Sequence, residues 1–348
     1  MIQSIVWKIK KFMFKNKSIL VTGGTGSFGK KIIKTLLTQY NPKKIIIYSR
    51  DELKQYNLQN DLIKYRKQLR FFIGDVRDLP RLKKSFNQVN YVIHAAALKQ
   101  VSVAEYNPFE AVKTNIIGTQ NVVDAALEMG IEKVISLSTD KASSPASLYG
   151  ATKLTADKII VAGNYHKGLA RTKFSVVRYG NVFGSRGSIV PRLLNLKKNS
   201  IFTITDTKMT RFTITLNEGI DYVLKCLKGM WGGEIFIPKI NSYKLADLVS
   251  ALSESAKTKI IGVRPGEKIH EEMISINDAI NTLEYKDGYV ICPSPDFMKW
   301  DTKKYKKYIN GKSCAENFSY TSGNNKFLTI NELKQIAKNN IDDFELDK

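Results

Sequence analysis

Four side chains that exchange protons lie close together in the middle of the chain. The segment STDKASSPASLYGATK, residues 138–153, contains Asp140 and Lys141 side by side, followed by Tyr149 and Lys153. Tyr149 and Lys153 are four residues apart in a helical pattern, so both side chains project from one face of a helix. Because a nearby ammonium stabilises a phenolate and lowers its pKa, this pair is suited to removing a proton from a substrate hydroxyl.

Asp140 and Lys141 add a second acid and base to the same stretch. A lysine accepts a proton near neutral pH only if its pKa falls, and we expect burial and the charge of Lys153 to lower the pKa of Lys141. The alternative is a solvated lysine in a surface turn. We expect the hydroxyl of Thr139 to hold either the substrate or Tyr149. These five residues form the predicted catalytic group.

A glycine-rich turn near the start of the chain predicts a nucleotide site. The segment TGGTGSFGKK places Gly23, Gly26 and Gly29 directly after the apolar run SILVT, and an amphipathic helical pattern follows it. Glycines let the backbone turn sharply and approach a pyrophosphate, which sits at the N-terminus of the helix. The motif therefore predicts a dinucleotide here. We expect further cofactor contacts from the residues between the glycines, Thr25, Ser27 and Phe28.

The end of the second apolar run bears on which dinucleotide binds. In IIIYSRDELK, ribose recognition is expected about 20 residues after the last glycine. Ser49, Arg50 and Lys54 suit a 2′-phosphate and favour NADP. Asp51 is the contrary sign, because it either faces the ribose or caps the next helix.

Two later segments are expected to complete the cofactor site. In GDVRD, Asp75 and Val76 either flank the adenine or form a plain turn. In HAAALK, Ala95 leaves room for the cofactor beside the backbone, and Lys99 is expected to contact both cofactor and substrate. Asn115 lies among apolar neighbours in a helical pattern, which indicates a buried hydrogen-bonding role.

The order of apolar runs predicts the fold that positions these residues. Short apolar runs alternate with helical patterns, as in an α/β protein with a Rossmann-type doubly wound parallel sheet. The predicted strands are 18–22, 44–49, 69–74, 91–96, 133–138 and 173–180. Beyond about residue 180 the alternation becomes irregular, which indicates a smaller C-terminal substrate lobe. The predicted units are a basic amphipathic extension (1–16), a dinucleotide-binding domain (17–180), a substrate lobe partly interleaved with the main sheet (181–300), and a C-terminal tail (301–348) with one capped helix from Thr329.

Composition bears on whether the chain binds metal or nucleic acid, forms disulfides or associates with membranes. The chain has 348 residues, three scattered cysteines and a net charge of +23. The cysteine spacing argues against zinc or a disulfide framework and favours a cytoplasmic setting. The lysines are spread along the whole chain, so we expect a polyanionic small ligand and no nucleic acid. Residues 1–15 have the pattern of a short amphipathic helix, which fits weak membrane association, a subunit contact or a frayed extension.

The motifs together resemble the extended short-chain dehydrogenase/reductase superfamily. Within it, residues from about 16 to 295 resemble the inverting UDP-N-acetylglucosamine 4,6-dehydratases, which begin pseudaminic acid biosynthesis for bacterial surface glycans and flagellins. Five blocks in order carry this resemblance: STDKA with LYGATK, RYGNVFGSRGSIVP, ITDTKMTRF, GGEIFIPKI and RPGEKIHEEMI.

The resemblance implies a reaction without net oxidation. Tyr149 takes the 4-hydroxyl proton while a hydride moves from C4 to NADP, and Lys153 also binds the nicotinamide ribose. Lys141 then takes the C5 proton and Asp140 protonates the departing 6-hydroxyl. The hydride returns to C6 and C5 is reprotonated from the opposite face, so the tightly bound cofactor is recycled. Retaining dehydratases carry Asp-Glu at this point and 4-epimerases lack the dyad.

The resemblance also implies where the UDP-sugar binds. Asn181, Arg211 and Arg264 would contact the diphosphate or its surroundings, and Glu267 the uridine ribose, with Lys99 and Tyr149 near the sugar. Arginine suits phosphate oxygens. The alternatives pair Arg211 with Asp206, and Arg264 with Glu267. The HEE sequence from residue 270 lacks a second histidine, so no metal is expected.

Some alternatives stay open at this point. A UDP-N-acetylhexosamine 4-epimerase would use Tyr149 and Lys153 without the dyad, and a nucleotide-sugar sensor would keep the fold without turnover. An RNA-binding role driven by charge would depend steeply on salt. Helices at 109–128 and 148–162 could pair across a two-fold axis, which predicts a homodimer or a higher even assembly.

Overall fold

A ten-stranded sheet forms the centre of the molecule. The computed structural model describes residues 14–196, 201–253, 257–294, 296 and 298–344, and most of the predicted amphipathic extension lies outside them. The strands are β1 Ser18–Thr22, β2 Lys44–Ser49, β3 Leu69–Ile73, β4 Tyr91–His94, β5 Lys133–Thr139, β6 Lys173–Tyr179, β7 Asn181–Val182, β8 Ile201–Ile204, β9 Thr210–Ile214, β10 Ile235–Pro238, β11 Ser242–Lys244, β12 Lys257–Ile260, β13 Glu272–Ile274, β14 Thr282–Tyr285, β15 Gly288–Ile291, β16 Lys312–Ser313 and β17 Tyr320–Thr321.

Helices cover both faces of this sheet. The α-helices are Ser27–Thr35, Glu52–Asp61, Leu79–Phe86, Val101–Tyr106, Pro108–Ala111, Gly118–Glu128, Leu148–His166, Ile189–Leu194, Leu216–Gly229, Leu245–Leu252, Ile276–Ala279, Thr302–Ile309 and Ile330–Asn339. Two π-helical turns, Leu36–Tyr40 and Val112–Ile117, continue or join them. Along the described residues, every helix is too short or too polar to cross a membrane.

The first six strands have the Rossmann order. They are parallel and adjacent as β3-β2-β1-β4-β5-β6, so all of the predicted strands are confirmed, with ends shifted by up to two residues. Strands covered on both faces read as continuous apolar runs. In β1, Ile19 and Val21 pack into one core while Leu20 packs into the other.

The sheet continues beyond residue 180. Strand β10 adds in parallel to β6, and β15, β14 and β16 follow in antiparallel order. A separate apolar core lies in the later part of the chain and includes Phe183, Leu248 and Leu333. The helix predicted from Thr329 is confirmed, because Thr329 and Glu332 form a reciprocal capping box. The domain boundaries at 180 and 300 stay a prediction.

The chain order reverses between β1 and β4, which lie side by side at the centre of the sheet. In open α/β sheets, ligands bind at the carboxyl ends of strands next to such a reversal. The glycine-rich turn follows β1, the HAAA segment follows β4, and the Asp140–Lys141 pair follows β5. The fold therefore brings these three segments to one edge of the sheet.

Candidate active site

The glycine-rich turn is shaped for a close backbone approach. Gly23 has φ +66, and a Cβ added at Gly29 would lie 2.5 Å from the carbonyl oxygen of Gly23. Gly26 is the N-cap of helix Ser27–Thr35 and has no side chain to occupy the first free N–H groups. An anion can bind there. These features fit the pyrophosphate of a dinucleotide.

A cleft of about 870 Å³ runs from this turn to the catalytic stretch. A cavity of this size accommodates a large organic ligand. All of the predicted cofactor residues line the cleft: Gly23, Thr25, Gly26, Ser27, Phe28, Gly29, Ser49, Arg50, Lys54, Asp75, Val76, Ala95, Lys99, Tyr149 and Lys153.

The alternatives at the ribose end are distinguished by the contacts of Asp51. Its carboxylate caps helix Glu52–Asp61 by accepting from the Lys54 backbone N–H at 2.9 Å, and it also pairs with the Lys54 amine at 2.5 Å. Lys54 is therefore partly neutralised by its neighbour. Arg50 is half exposed and lies 3.7 Å from a carboxylate oxygen of Asp75, which is itself held mainly by Arg77. Among these groups, the Arg50 guanidinium is the most accessible cation.

Close packing brings Tyr149 to the Asp140–Lys141 turn. The helix Leu148–His166, here called the tyrosine helix, begins at Ser147, whose hydroxyl accepts from the Gly150 N–H at 3.2 Å. A Cβ at Gly150 would lie 2.2 Å from the carbonyl oxygen of Lys141. Only glycine permits this approach, so Gly150 fixes the distance between the two halves of the predicted catalytic group.

Asn115 supports the tyrosine helix from the other side. Its amide oxygen accepts from the Leu98 N–H at 2.8 Å, and its amide nitrogen donates to the carbonyl of Leu98 and to the hydroxyl of Thr152, both at 3.0 Å. The predicted buried hydrogen-bonding role of Asn115 is confirmed. Its contacts connect the HAAALK segment to the residue that precedes Lys153.

Lys141 lies between two carboxylates. Its amine is 3.1 Å from Asp140 Oδ1 and 3.0 Å from Glu271 Oε1. The solvated-turn alternative for Lys141 is therefore wrong. Asp140 is fully buried, and the Thr139 hydroxyl donates to the same Oδ1 at 3.0 Å. Burial raises the pKa of Asp140 in spite of the opposing charge of Lys141.

The pKa of Lys141 differs in direction from the prediction. Burial does favour the neutral amine, but the negative charges of Asp140 and Glu271 outweigh it, and the pKa of Lys141 is raised. The Lys153 amine, which was expected to lower the pKa of Lys141, donates to the carbonyl of Leu137 at 2.8 Å. Before it can act as a base, Lys141 must therefore lose a proton.

The pKa of Tyr149 also differs from the prediction. Burial raises it to about 12, and the cation that opposes this shift is Lys141 and not Lys153. The Thr139 hydroxyl donates its proton to Asp140, so its expected role in holding the substrate or Tyr149 stays a prediction. Burial lowers the pKa of Lys153, with Asp157 opposing.

The predicted substrate residues are only partly brought together. Asn181 lines the cleft, as do Lys99 and Tyr149. Arg211 donates to the carbonyls of Thr210, Lys268 and Ile269 and lies 3.6 Å from Glu271. The alternative prediction, that Arg211 pairs with Asp206, is therefore wrong.

Arg264 and Glu267 lie outside the lining of the cleft. Arg264 is exposed, and its backbone N–H donates to the Glu267 carboxylate at 3.3 Å.

Glu271 is the functional candidate that the sequence reasoning missed. Its side chain is 3% exposed and contacts both Lys141 and Arg211. In the sequence it belongs to the HEE segment, which was considered only as a metal motif. The available signal was the doubled Glu271-Glu272 directly before an apolar strand, where one carboxylate must point inward.

Comparison with known proteins defines the family. The family model described as "Polysaccharide biosynthesis protein" matches residues 19–293. The chain belongs to this family. A relative from Campylobacter jejuni subsp. jejuni serotype O:2, named UDP-N-acetylglucosamine 4,6-dehydratase (inverting), is 52% identical over 90% of this chain and 94% of its own. The predicted resemblance to the inverting dehydratases, within the extended short-chain dehydrogenase/reductase superfamily, is thereby confirmed.

Other relatives and structural neighbours carry other names. A UDP-glucose 4-epimerase of Rickettsia rickettsii is 38% identical over 93% of this chain and 96% of its own. The X-ray structure of Pen from Bacillus thuringiensis superposes with a TM-score of 0.86, at 38% identity, and covers 94% of this chain and 98% of that one. A dTDP-glucose 4,6-dehydratase of Streptomyces venezuelae, with NAD and TYD bound, covers 94% of this chain and 99% of its own with a TM-score of 0.66 at 18% identity, which shows a shared fold.

Proposed function

We propose that this protein is an inverting UDP-N-acetylglucosamine 4,6-dehydratase, which produces a UDP-4-keto-6-deoxy sugar. The observation that carries the proposal is the ion pair between buried Asp140 and Lys141, with Lys141 and Tyr149 both lining the cleft. A 4-epimerase of the same fold needs Tyr149 and Lys153 but has no use for an acid and a base at 140 and 141. The name of the 52% identical relative supports the same conclusion.

Three of the proton transfers in the proposed reaction each have a side chain. Tyr149, as the phenolate, accepts the proton of the 4-hydroxyl, and the positive charge of Lys141 stabilises that phenolate before the transfer. A nicotinamide dinucleotide bound in the cleft supplies the hydride acceptor for C4 and the hydride donor for C6. The 4-keto group acidifies C5–H, and Lys141 as a neutral amine removes that proton. Asp140, whose carboxyl pKa burial raises, takes up the proton that Lys141 must lose and gives it to the departing 6-hydroxyl, so that water leaves. Reprotonation of C5 from the opposite face inverts it.

The cofactor in this proposal is NADP. Asp51 is engaged as a helix cap and by Lys54, which leaves the exposed Arg50 to meet a 2′-phosphate beside Ser49. Guanidinium groups match phosphate oxygens. The segment 184–188 supports a tightly held cofactor, because it crosses the cleft: the Lys99 amine donates to the Arg186 carbonyl at 3.0 Å, and the Arg186 N–H donates to the Ser27 hydroxyl at 3.3 Å.

The substrate is proposed to extend from Tyr149 toward the C-terminal lobe. Asn181, at the start of β7 and in the cleft, is suited to the diphosphate or sugar. Arg264 and Glu267 are proposed for the uridine diphosphate, and the exposure of Arg264 leaves its guanidinium accessible. Arg211 is proposed to act near the diphosphate through the groups it holds, Glu271 and the carbonyls of residues 268–269.

The wider setting belongs to the same proposal. We assign the product to pseudaminic acid biosynthesis, for a surface glycan or flagellin, on the strength of the inverting dyad. We also propose a homo-oligomer formed through the helices at 109–128 and 148–162. Phe109 and Ile117 in the first of these, and Tyr106 just before it, are large apolar side chains left exposed. Light scattering of the purified protein tests the assembly.

The reaction is tested by NMR of the purified protein with UDP-N-acetylglucosamine in deuterated water, without added cofactor. We expect a 4-keto-6-deoxy product with deuterium at C5 and the L-arabino configuration, since C5 is deprotonated and then reprotonated from solvent. A product that retains the C5 configuration would contradict the role of Lys141. UDP-N-acetylgalactosamine as the sole product would favour the epimerase.

A variant separates the two candidates further. Lys141→Met keeps Tyr149 and Lys153 but removes the base, so we expect the dehydratase activity to fall by about 10²–10⁴-fold, the usual contribution of a general base. An epimerase would lose only the stabilisation that Lys141 gives to the Tyr149 phenolate, so its inversion at C4 would persist at a reduced rate. The absence of turnover in the wild type, even with NADP added, would favour a different sugar nucleotide or the non-catalytic sensor.

A further inference from the structure

We propose that Glu271 is a positioning residue of this site, whose carboxylate holds the amine of Lys141 between itself and Asp140. The inference rests on the proposed dehydratase function and deepens it, because it adds a third group to the predicted dyad. Glu271 is far from Lys141 in sequence but contacts it at 3.0 Å.

The backbone around Glu271 is fixed from two sides. Its N–H donates to the hydroxyl of Ser322 at 2.8 Å, and the Ser322 N–H donates to the Glu271 carbonyl at 2.8 Å. The next residue, Glu272, begins β13, which pairs with β17. This exchange directs the Glu271 side chain inward, where it meets Lys141 and, at 3.6 Å, the Arg211 guanidinium. The lysine is therefore held by an anchored carboxylate and not by a surface contact.

The two carboxylates of this group each keep one unused oxygen. Asp140 Oδ2 and Glu271 Oε2 are buried and have no hydrogen-bond partner among the described residues. Such atoms are rare in folded proteins and call for a functional explanation. One carboxylate would be enough to neutralise the Lys141 ammonium, but both Asp140 and Glu271 contact it. The second carboxylate explains why the Lys141 amine stays at the end of the cleft instead of turning to solvent.

The titratable groups that face Lys141 lie on several elements packed against it. Asp140 precedes it, Tyr149 lies on the tyrosine helix, Arg211 on β9, and Tyr243 on β11. Glu271 and Lys268 lie before β13.

Burial raises the pKa of Glu271, but Lys141 and Arg211 outweigh it and keep the carboxylate ionised. Glu271 in turn raises the pKa of both Lys141 and Asp140. The Glu271 carboxylate thus stabilises the protonated form of Asp140, and it moves the deprotonation of Lys141 to higher pH.

These opposing effects give a test with a definite sign. In Glu271→Gln the amide keeps the shape but loses the charge, so the amine of Lys141 becomes neutral at lower pH. We expect the pH profile of deuterium incorporation at C5 to move toward lower pH by about one unit or more. The maximal rate should fall about tenfold or more, because the amine of Lys141 is no longer held in position, while KM for the UDP-sugar changes little. In Glu271→Asp the charge remains, so the profile should return toward that of the wild type.

Glu272→Gln is the matched control. Its carboxylate accepts from the hydroxyls of Ser143 and Ser144 and does not contact Lys141, so we expect the wild-type pH profile. A second measurement needs no turnover: NMR titration of protein labelled at the lysine Cε carbons, with the Lys141 signal identified by its loss in Lys141→Met. The midpoint of Lys141 should be lower in Glu271→Gln than in the wild type.

The outcomes separate the two proposals. A wild-type protein that leaves C5 unexchanged refutes the dehydratase function, and the NMR titration then decides the Glu271–Lys141 coupling alone. An active wild type together with an unshifted profile and an unshifted midpoint in Glu271→Gln overturns the role of Glu271, whatever the loss of rate. A rate loss with no shift would mean that Glu271 serves the local structure only.

Discussion

The ion pair between Arg178 and Asp157 connects the tyrosine helix to β6, and its removal should be costly. The two side chains are 2% and 1% exposed, with Arg178 Nη2 3.1 Å from Asp157 Oδ2. The same oxygen accepts from the Ser138 hydroxyl at 2.7 Å, and the other guanidinium nitrogen donates to the Met273 carbonyl at 2.9 Å. Asp157→Asn would leave the arginine charge buried without its counterion.

The size of the effect follows from that burial. Breaking a buried pair by removing one partner costs about 3–5 kcal/mol in unfolding free energy. Asp278, 3.9 Å from Arg178, compensates in part, so we expect a value near the lower end, about 3 kcal/mol. For a chain of 348 residues, unfolding entropy of about 2 cal/mol/K per residue converts this into a melting temperature lower by about 4 °C.

Urea unfolding followed by circular dichroism, and a thermal melt, measure the change. Glu128→Gln is the control, since the pair Lys83–Glu128 is 32% and 57% exposed and should contribute less than about 1 kcal/mol. The double variant Asp157→Leu with Arg178→Met removes both charges and should be more stable than Asp157→Leu alone. If Asp157→Asn cost no more than Glu128→Gln, or if the two changes simply added, the argument from burial would be refuted.

Three further predictions concern the cofactor, the lobe and pH. Arg50→Ala should weaken NADP by about 10–100-fold and leave NAD nearly unchanged, since a charge-assisted bond is worth about 1.5–3 kcal/mol; equal losses in binding titrations of both cofactors would contradict this. Gly184→Ala places a Cβ 2.0 Å from the ring of Phe344 at φ +75, so it should lower the melting temperature. Because Phe344→Ala removes this clash, the double variant should lose less stability than the sum of the losses in the two single variants. Burial raises the pKa of Glu132, but the bond from Lys17 outweighs it and the pKa is lowered. The stability that this carboxylate contributes is therefore present above its unfolded pKa of about 4.3 and lost as pH falls through the lower folded value. Acid titrations of Glu132→Gln should lack that part of the decline.

Local patterns were sufficient for most of the fold. Parallel strands covered on both faces produce continuous apolar runs, so β1 to β6 were predictable one by one. The glycine spacing and the Tyr149–Lys153 spacing are set within one turn or one helix. The antiparallel continuation through β15, β14 and β16 was not predicted, because these strands have only two to four residues each. β14 and β15 form a hairpin, but the pairs β10–β15 and β14–β16 join segments that are distant in the chain.

The charge state of Lys141 was predicted with the wrong sign. Burial and the charge of Lys153 both favour a lower pKa, and the prediction rested on these two effects. Two carboxylates oppose them: Asp140, the neighbour of Lys141 in the sequence, and Glu271, which is distant in the sequence and is held by hydrogen bonds with Ser322. The direction of a pKa shift is the difference between opposing effects, so it requires every charge that the fold brings close.

The C-terminal tail gives a second case in which distant segments shape the site. Asp343 pairs with Lys31 at 2.6 Å on the helix that follows the glycine-rich turn, and Phe344 packs against Phe183 and over Gly184. Gly184 begins the segment that crosses the cleft to Ser27 and Lys99. The same few residues thus connect the helix that would carry the pyrophosphate with the segment that covers it. Loosening Asp343 and Phe344 should therefore act on cofactor retention, because their contacts are with that helix and with that segment.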